Sequence, residues 1–452
     1  MFDKEKREDY SSCARYRAGQ VNQLLGKEHL VARSKEELIK FIEEQRKPDK
    51  YRGLPLEGKR VLDFSTVVAA PYTAALLGDA GAEVIKIENP REPDGLRTWG
   101  VIEASGIQPY YSVVGRNKFP VTINLKSENG KRLFLELIRK SDVLIENMRL
   151  GVMDRLGLGH EMLLKENPGL VIGKISGYGM TGPHAKQPGF GTLAEAFSGF
   201  SYLNGYPGGS PTSPPMALAD LTAGVHLAFA VVLALIAARR GERGGQVIDV
   251  SLYEPLFGYL GGEFLSYSLT GEIPGPIGNE LRAAAPRNNY KTRDGKWIAM
   301  SCSSQKPWEA LARVMGREEL IDDPRFRTNG DRIKPESRAA LNEIIREWYL
   351  TMTLEEALAM CRREGITAGP IPSMEDIARD AHYRERRTII ELEDPATGIM
   401  LKIPDVTFRM LGRPGKIRFP GLPHGSANEV VYRDLLGYSD AQIASLKEEA
   451  AI

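Results

Sequence analysis

Between residues 59 and 255, short apolar runs alternate with stretches of helical periodicity. The apolar runs at 59–64, 83–88, 143–147 and 170–176 predict β-strands, and the stretches at 71–77 and 130–140 predict helices. Repeated strand–helix units of this kind indicate an α/β fold, in which a Rossmann-like parallel sheet carries helices on both faces. Ligands bind such sheets where the strands end. We therefore expect functional residues at 65–70, 88–97, 147–155 and 177–190.

The rest of the chain predicts an N-terminal arm and a second domain. Residues 1–55 are charged and include a helix at 34–45, for which Ser34 is the predicted N-cap and Glu37 completes a capping box. After the first part of the large domain, at 56–255, we predict a linker at 256–284 and a smaller α+β domain at 285–390. Residues 391–452 return to strand and helix patterns, and we interpret them as completing the large domain.

Residues 221–238 form one continuous apolar run, LTAGVHLAFAVVLALIAA. Its 18 residues reach the lower limit for a membrane span. The run contains His226, however, and a long polar chain surrounds it. We therefore predict a helix buried in the protein core, with His226 packed inside that core and no membrane association.

Charge and cysteine content exclude several classes of protein. Among 452 residues, 60 are Lys or Arg and 59 are Asp or Glu, so the net charge of +1 gives no general attraction for nucleic acid. The three cysteines, Cys13, Cys302 and Cys361, lie too far apart in sequence for a disulfide scaffold or a cysteine-rich zinc module. The N-terminal sequence lacks the apolar core of a secretory signal, and we predict a cytoplasmic protein.

The sequence lacks the common cofactor, metal and hydrolase motifs. The turn after the first predicted strand, STVVAAP, lacks GxGxxG, and the chain has no Walker A, HExxH or GxSxG pattern. The six histidines show no ligand spacing. We therefore expect no metal and no permanently bound cofactor, and a nicotinamide dehydrogenase and a serine hydrolase are both disfavoured.

One acidic residue, Asp220, stands at the junction between a Gly/Pro/Ser-rich loop, residues 205–221, and the apolar helix. An aspartate there is typical of an N-cap, which bonds the free amides of the first helical turn. An ionised carboxylate held at a helix terminus can also act as a nucleophile without a separate base. The two interpretations are compatible, because the terminus both favours the anion and fixes its position.

Several segments together resemble the class III CoA-transferases, the CaiB/BaiF-like family that includes formyl-CoA transferase. They are GKRVLDFSTVVAAPYTAALLGDAGAEVIKIENP, RNKFPVTINLKSENGKRLF, SDVLIENMRLGVMDRLGL, NPGLVIGKISGYGMTGP, ALADLTAGVHLA, APRNNYKTRDGKWIAM and DDPRFRTNGDRI. The resemblance covers residues 56 to about 440. It implies a ring-like chain, two copies of which interlock as a homodimer or as a heteromer with a paralogous subunit.

The resemblance implies an enzyme whose substrates are an acyl-CoA and a carboxylic acid. Asp220 aligns with the family's nucleophile, which attacks the thioester carbonyl of the donor to give a mixed anhydride and then an aspartyl-CoA thioester. A flexible Gly-rich loop covers this site in the family, and GPIGN at 275–279 is either that loop or an ordinary turn. We expect succinyl-CoA to be the donor.

The CoA-binding positions of the family also carry over. They are Val68, Ala69, Arg97, Ile123, Lys126, Asn147, Met148 and Arg155, with Phe190 and Gly191 in the substrate pocket. Arg97, Lys126 and Arg155 are the candidates for the CoA phosphates. Lys126 is equally typical of a solvated lysine at a helix start, and Arg155 of a structural pair with Asp154 or Glu146.

The sequence departs from the family pattern in two places. Val68 replaces the glutamine of formyl-CoA transferase, and Phe190 and Gly191 replace the Tyr or His followed by an acid that many relatives carry. These apolar residues favour a larger or aryl-substituted acid, such as a substituted succinate or another dicarboxylate, over formate or oxalate. Phe190 also lacks the titratable group that an α-methylacyl-CoA racemase or epimerase needs as its second base. A racemase and one subunit of a heteromeric CoA-transferase remain the alternatives.

Overall fold

The computed structural model describes residues 33–102, 105–239 and 244–452, so most of the predicted N-terminal arm, with Cys13, lies outside the described residues. The described chain forms two compact units. The first contains the described residues up to Ser198, Pro215–Tyr259 and Arg384–Ile452, and the second contains Gly199–Pro214 and Leu260–Tyr383. The sequence places Gly199–Pro214 in the large domain, whereas here it belongs to the second unit.

A six-stranded sheet forms the centre of the first unit. Its strands are β1 (Arg60–Phe64), β2 (Glu83–Glu88), β3 (Lys118–Thr122), β4 (Val143–Glu146), β5 (Val171–Ser176) and β6 (Gln246–Ser251). All neighbouring strands are parallel, and their order is β3-β2-β1-β4-β5-β6. The strand order changes direction between β1 and β4, and ligands of open α/β sheets bind at the carboxyl ends of the strands at such a point. The predicted α/β class with a Rossmann-like parallel sheet is confirmed.

The two edge strands of this sheet are absent from the sequence prediction. β3 contains Pro120, which cannot donate to a strand ladder and therefore weakens the strand pattern. At the sheet edge one side of the strand needs no partner, so the proline is tolerated there. β6 forms the opposite edge, where all of its residues except Ser251 are partly buried or exposed.

Helices surround the sheet and make up most of the second unit. In chain order they are α1 (Lys35–Arg46), α2 (Ala69–Asp79), α3 (Pro109–Val114), α4 (Glu128–Arg139), α5 (Val152–Arg155), α6 (His160–Glu166), α7 (Gly191–Phe197), α8 (Phe200–Leu203), α9 (Leu218–Arg239), α10 (Glu254–Tyr259), α11 (Gly261–Thr270), α12 (Gln305–Val314), α13 (Glu319–Asp322), α14 (Asn329–Arg332), α15 (Pro335–Tyr349), α16 (Leu354–Glu364), α17 (Met374–Arg379), α18 (Ala381–Glu385), α19 (Asn428–Leu436) and α20 (Asp440–Glu448). The predicted capping box of α1 is confirmed, since the Glu37 amide donates to Ser34 Oγ and the Ser34 amide donates to Glu37 Oε2.

The described chain also contains two smaller antiparallel sheets, one in each unit. The strands β7 (Arg287–Lys291), β8 (Trp297–Ser301) and β9 (Ala368–Pro370) form an antiparallel sheet in the second unit. Its core includes Trp308 and Tyr349, and the two free cysteines Cys302 and Cys361 are buried in it. The strands β10 (Ile389–Glu393) and β11 (Met400–Pro404) form an antiparallel pair in the first unit.

The apolar helix α9 is buried on one face only, which corrects the prediction of a fully interior helix. Ala219, Ala223, Leu227 and Val231 are buried on the face that packs against α2 and the sheet. The opposite face exposes an apolar stripe, Val225, Phe229, Leu233 and Ile236. By length and composition alone α9 could span a membrane, but its buried face belongs to the core of the first unit. His226 is half-buried, so the expectation of a core histidine is also corrected.

Candidate active site

Asp220 is the third residue of α9 and therefore lies inside the first helical turn. An N-cap residue precedes the first helical residue, which here is Leu218. The structure thus contradicts the N-cap interpretation of Asp220. Its side chain is half-buried, and no lysine, arginine or histidine forms an ion pair with it in the described part of the chain.

The cap of α9 comes from another helix. Glu195 of α7 is 3% exposed, and its Oε1 accepts hydrogen bonds from the Leu218 amide at 3.0 Å and the Ala219 amide at 3.3 Å. These amides are among the unpaired donors that every helix has at its start. The sequence analysis missed Glu195, because the contact joins two helices and no local motif marks it.

Two glycines allow the backbone to approach the first turns of α9. A side chain at Gly191 would overlap Asp220 Oδ2, so the absence of a Cβ there leaves room for the carboxylate. A side chain at Gly224 would lie 2.7 Å from the carbonyl oxygen of Ala69, at the start of α2. Thr73 of α2 donates to the Gly224 carbonyl at 2.9 Å, which fixes the two helices together. The predicted positions Ala69 and Gly191 therefore both lie beside the first turns of α9.

Burial and charge make the Asp220 carboxyl group unusually basic. Loss of solvent and the neighbouring negative charge of Glu195 raise the pKa of Asp220 to about 6, against the weaker opposing effect of its own backbone amide. At pH 7 a group with that pKa is mostly ionised, and it is more basic than an ordinary aspartate. The arrangement can therefore supply a carboxylate nucleophile.

The turn between β1 and α2 is fixed by side chains from the sheet. Asn147, at the end of β4, accepts from the Thr66 amide at 2.9 Å and donates to the Thr66 carbonyl at 2.8 Å. Asp94 accepts from the Val67 amide at 2.9 Å, and Val67 has φ 68°, a conformation that is rare for a β-branched residue. The next residue, Val68, is buried and packs in a small cluster with Leu221, the neighbour of Asp220.

A buried charge network lies beneath this turn. Lys86 and Lys118 are each 1% exposed. Lys86 pairs with Asp94 at 3.0 Å, and Lys118 pairs with Asp63 at 2.7 Å. Lys86 also donates to the Ser65 carbonyl. Although burial opposes ionisation, Lys86 and the amides of the turn hold the pKa of Asp94 below its ordinary value. The network is electrically balanced and holds the turn in place.

Arg97 has a structural role that differs from the predicted phosphate contact. Its guanidinium forms a two-point pair with Glu88 at 2.9 and 2.6 Å, donates to the Leu422 carbonyl at 3.0 Å and stacks on the ring of Tyr111. Arg97 also donates to the Tyr111 hydroxyl. Four of its five N–H groups are therefore hydrogen-bonded within the protein. The structure therefore corrects the phosphate assignment of Arg97.

The remaining predicted CoA positions fall into two groups. Ile123 is buried in the core of the sheet, and the Met148 amide and carbonyl are bonded to Glu146 and Lys174. Lys126 and Arg155 are exposed, and neither forms an ion pair among the described residues. The alternative pairing of Arg155 with Asp154 or Glu146 is therefore not observed. Phe190 is 63% exposed immediately before Gly191.

A cavity of about 610 Å³ opens at the carboxyl end of β4. Its lining contains the basic residues Arg149, Lys165 and Lys174 with His160, and also the acidic residues Glu146, Asp154 and Glu161, so its charges are mixed. Lys174 and His160 are bonded to the buried Glu146, at 2.6 and 3.0 Å. Within residues 33–102, 105–239 and 244–452, no group of three acidic, histidine or cysteine side chains is placed to hold a metal ion.

Comparison with known proteins identifies the family. The family model for CoA-transferase family III matches residues 56–428. The chain belongs to CoA-transferase family III. It is 38% identical to the beta subunit of succinyl-CoA–L-malate CoA-transferase from Chloroflexus aurantiacus, over 88% of this chain and 98% of that protein. It is 35% identical to succinyl-CoA–D-citramalate CoA-transferase from the same organism, again over 88% and 98%.

The family III fold is also found in solved structures. A CAIB/BAIF family protein from Brucella suis aligns with a TM-score of 0.72 and 29% identity, covering 84% of this chain and 99% of that one. The predicted membership of this family and the prediction of a CoA-transferase are thus confirmed. An acyl-CoA is accordingly a substrate of this enzyme.

Proposed function

We propose that this enzyme transfers CoA from succinyl-CoA to a dicarboxylic acid, with Asp220 as the nucleophile. The observation that carries the proposal is the half-buried carboxylate of Asp220, which lies next to Gly191 and Glu195 and has no basic partner in the described chain. Relatives named for transfer from succinyl-CoA to malate, citramalate and glutarate support both the donor and the class of acceptor.

The proposed reaction runs through two covalent states of Asp220. Its carboxylate attacks the succinyl thioester carbonyl, the C–S bond breaks, and CoA thiolate leaves a mixed anhydride. The thiolate then attacks the Asp220 carbonyl carbon and releases succinate, which leaves an aspartyl-CoA thioester. The acceptor carboxylate attacks this thioester, and the released thiolate attacks the acceptor acyl carbon, which frees Asp220. Each step exchanges one acyl bond for another, so no proton donor, metal or nucleotide is required.

The CoA-binding residues follow from the same proposal. Val68 and Ala69 would contact CoA from the turn after β1, which hydrogen bonds to Asn147 and to the buried Asp94 hold in place. Lys126 and Arg155 are available for the phosphates, since both are exposed and unpaired in the described chain. Ile123, Asn147 and Met148 would contribute through the backbone and the shape of the strand ends.

The acceptor pocket is proposed to contain Phe190, Gly191 and Val68. An exposed aromatic ring next to the nucleophile favours a substituted succinate or another C4 to C5 dicarboxylate over formate or oxalate. Phe190 also argues against the racemase alternative, because proton transfer at the α-carbon needs a second titratable group. Incorporation of deuterium from solvent at the α-carbon, without an acceptor acid, would support that alternative instead.

A second subunit is part of the proposal. The exposed apolar stripe of α9 is typical of a surface that a partner covers. The relatives include proteins named as alpha and beta subunits of one enzyme, so the partner is a second copy of this chain or a paralogue. We propose that two chains interlock and that the enzyme is cytoplasmic.

The experiment is an exchange assay with succinyl-CoA and a panel of acids: malate, citramalate, glutarate, an aryl-substituted succinate, oxalate and formate. We expect CoA esters of the dicarboxylates, and a rate at least about 10³-fold lower for Asp220→Ala because the nucleophile is lost. Turnover of oxalate or formate alone would contradict the proposed acceptor class. Full activity of Asp220→Ala would contradict the mechanism.

A further inference from the structure

The helix α7 contacts the first turn of α9 through two of its residues. Gly191 and Glu195 are four residues apart and therefore share one face of α7. Gly191 leaves the space that Asp220 Oδ2 occupies, and Glu195 accepts the hydrogen bonds of the Leu218 and Ala219 amides. A single helix thus determines both where the Asp220 carboxylate lies and which donors remain for it.

We propose that Glu195 is a positioning residue for Asp220: by occupying the Leu218 and Ala219 amides, the first two of α9, it withholds these donors from the Asp220 carboxylate and leaves that carboxylate free to attack the thioester. This inference rests on the proposed function. An acidic side chain in a first helical turn ordinarily gains from the amides and the positive end of the helix. Those interactions stabilise the anion and occupy its lone pairs, so they make it a weaker nucleophile.

The charge of Glu195 adds to this effect. It lies in a site without a lysine or arginine partner for Asp220 in the described chain, and it opposes ionisation of its neighbour. The other charged groups on the elements packed against α9 have partners of their own: Asp79 on α2 with Arg116, Lys174 on β5 with Glu146, Asp249 on β6 with the Met180 amide, and Glu254 on α10 with Ser251. The raised pKa of Asp220 therefore comes first from its burial and then from the charge of Glu195.

The test separates the charge of Glu195 from its hydrogen bonds. Glu195→Gln keeps a carbonyl oxygen that can accept from both amides, but it removes the charge. Glu195→Ala removes both. The readout is the rate at which intact protein gains a covalent CoA or acyl adduct from succinyl-CoA, followed by mass spectrometry between pH 4.5 and 8 in a single turnover.

We expect the wild-type rate to fall about tenfold between pH 7 and pH 5, as a group with a pKa near 6 becomes protonated. In Glu195→Gln the fall in rate on the acid side should move to lower pH, so that the rate falls clearly less than tenfold over the same interval, while burial still keeps the pKa of Asp220 above that of an ordinary aspartate. Glu195→Ala should react more slowly than Glu195→Gln at every pH, with an unchanged KM for succinyl-CoA. If Glu195 were only structural, its replacement would change the stability of the protein but not the pH at which the adduct rate falls on the acid side.

The outcomes distinguish the two proposals. Wild-type protein that forms no adduct at any pH contradicts the proposed function itself. If the wild type forms the adduct and its rate falls at the same pH as in Glu195→Gln, the role of Glu195 is overturned and the proposed function stands. If Glu195→Ala does not fold, as circular dichroism would show, Glu195→Gln still decides the question because it retains the cap.

Discussion

Two groups of acidic side chains in the first unit differ in their partners. Under the turn after β1, Asp63 and Asp94 lie among two lysines, and the pKa of Asp94 is held below its ordinary value although burial opposes this. At the start of α9, Asp220 lies beside Glu195, and burial with that like charge raises the pKa of Asp220 to about 6. Burial alone therefore does not indicate a reactive acid. The absence of a neutralising cation in the described chain distinguishes the candidate nucleophile from the structural pair.

The largest loss of stability should come from removing one acid of the lysine-paired network under the turn after β1. Asp63→Ala leaves Lys118 buried without its partner at 2.7 Å, and we expect a loss of about 3–5 kcal/mol in the free energy of unfolding, measured by urea titration. The matched control is Glu128→Ala, which removes an exposed pair with Lys131 and should give no measurable change. Equal stability of the Asp63 variant and the wild type would show that the network is not needed.

The next largest effect is a fall in kcat when the space around Asp220 is filled. Gly191→Ala adds a methyl group where Asp220 Oδ2 lies, so the carboxylate must move, and we expect kcat to fall by ten- to a hundredfold. The control is Gly258→Ala, where a side chain would meet nothing within 4 Å. If the two alanine variants had the same kcat in the exchange assay, the position of the carboxylate would not matter.

The smallest effect is a change of stability with pH. The pKa of Asp220 is about 6 in the fold and about 3.9 in an unfolded chain, so the folded protein loses stability as the pH rises from about 4 to about 6. Asp220→Asn removes the cost of burying an ionised carboxylate at this position. We expect the variant to be more stable than the wild type by roughly 2 kcal/mol at pH 7 and equally stable at pH 4.

If Asp220 were an N-cap, replacing it would lower the free energy of unfolding at pH 7 instead of raising it. An N-cap replaced by alanine costs about 1 kcal/mol, and that loss would appear at neutral pH. Urea titrations of wild type and Asp220→Asn at pH 4 and pH 7 distinguish the two. A variant less stable than the wild type at pH 7 would contradict the raised pKa of Asp220.

Much of the fold follows from local patterns, because apolar periodicity and capping residues act over a few positions. The strand β2 and the capping box of α1 are predicted directly from the sequence. β3 is missed because Pro120 weakens its pattern, and only the edge position in the sheet makes the proline acceptable. The exposed stripe of α9 is missed because composition alone does not determine which sides of an apolar helix are covered.

The candidate site is less predictable than the fold, since its chemistry depends on contacts between distant residues. Asp220 was found by its position before an apolar helix and by family resemblance. Glu195 could not be found, because it lies 23 residues before the amide of Leu218 and on another helix. For Arg97, the family resemblance implies a contact with a CoA phosphate, but Glu88 and the Leu422 carbonyl bind the guanidinium in this fold.

The most direct test of the central claim is to look for the covalent state of Asp220. The wild-type protein is mixed with succinyl-CoA, treated with hydroxylamine or borohydride, digested and analysed by mass spectrometry, with Asp220→Asn as the control. We expect one modified peptide, which contains Asp220, as its hydroxamate or its reduced alcohol, and no such peptide in the variant. Turnover of CoA esters with Asp220 unmodified, or an adduct on a different residue, would contradict the account.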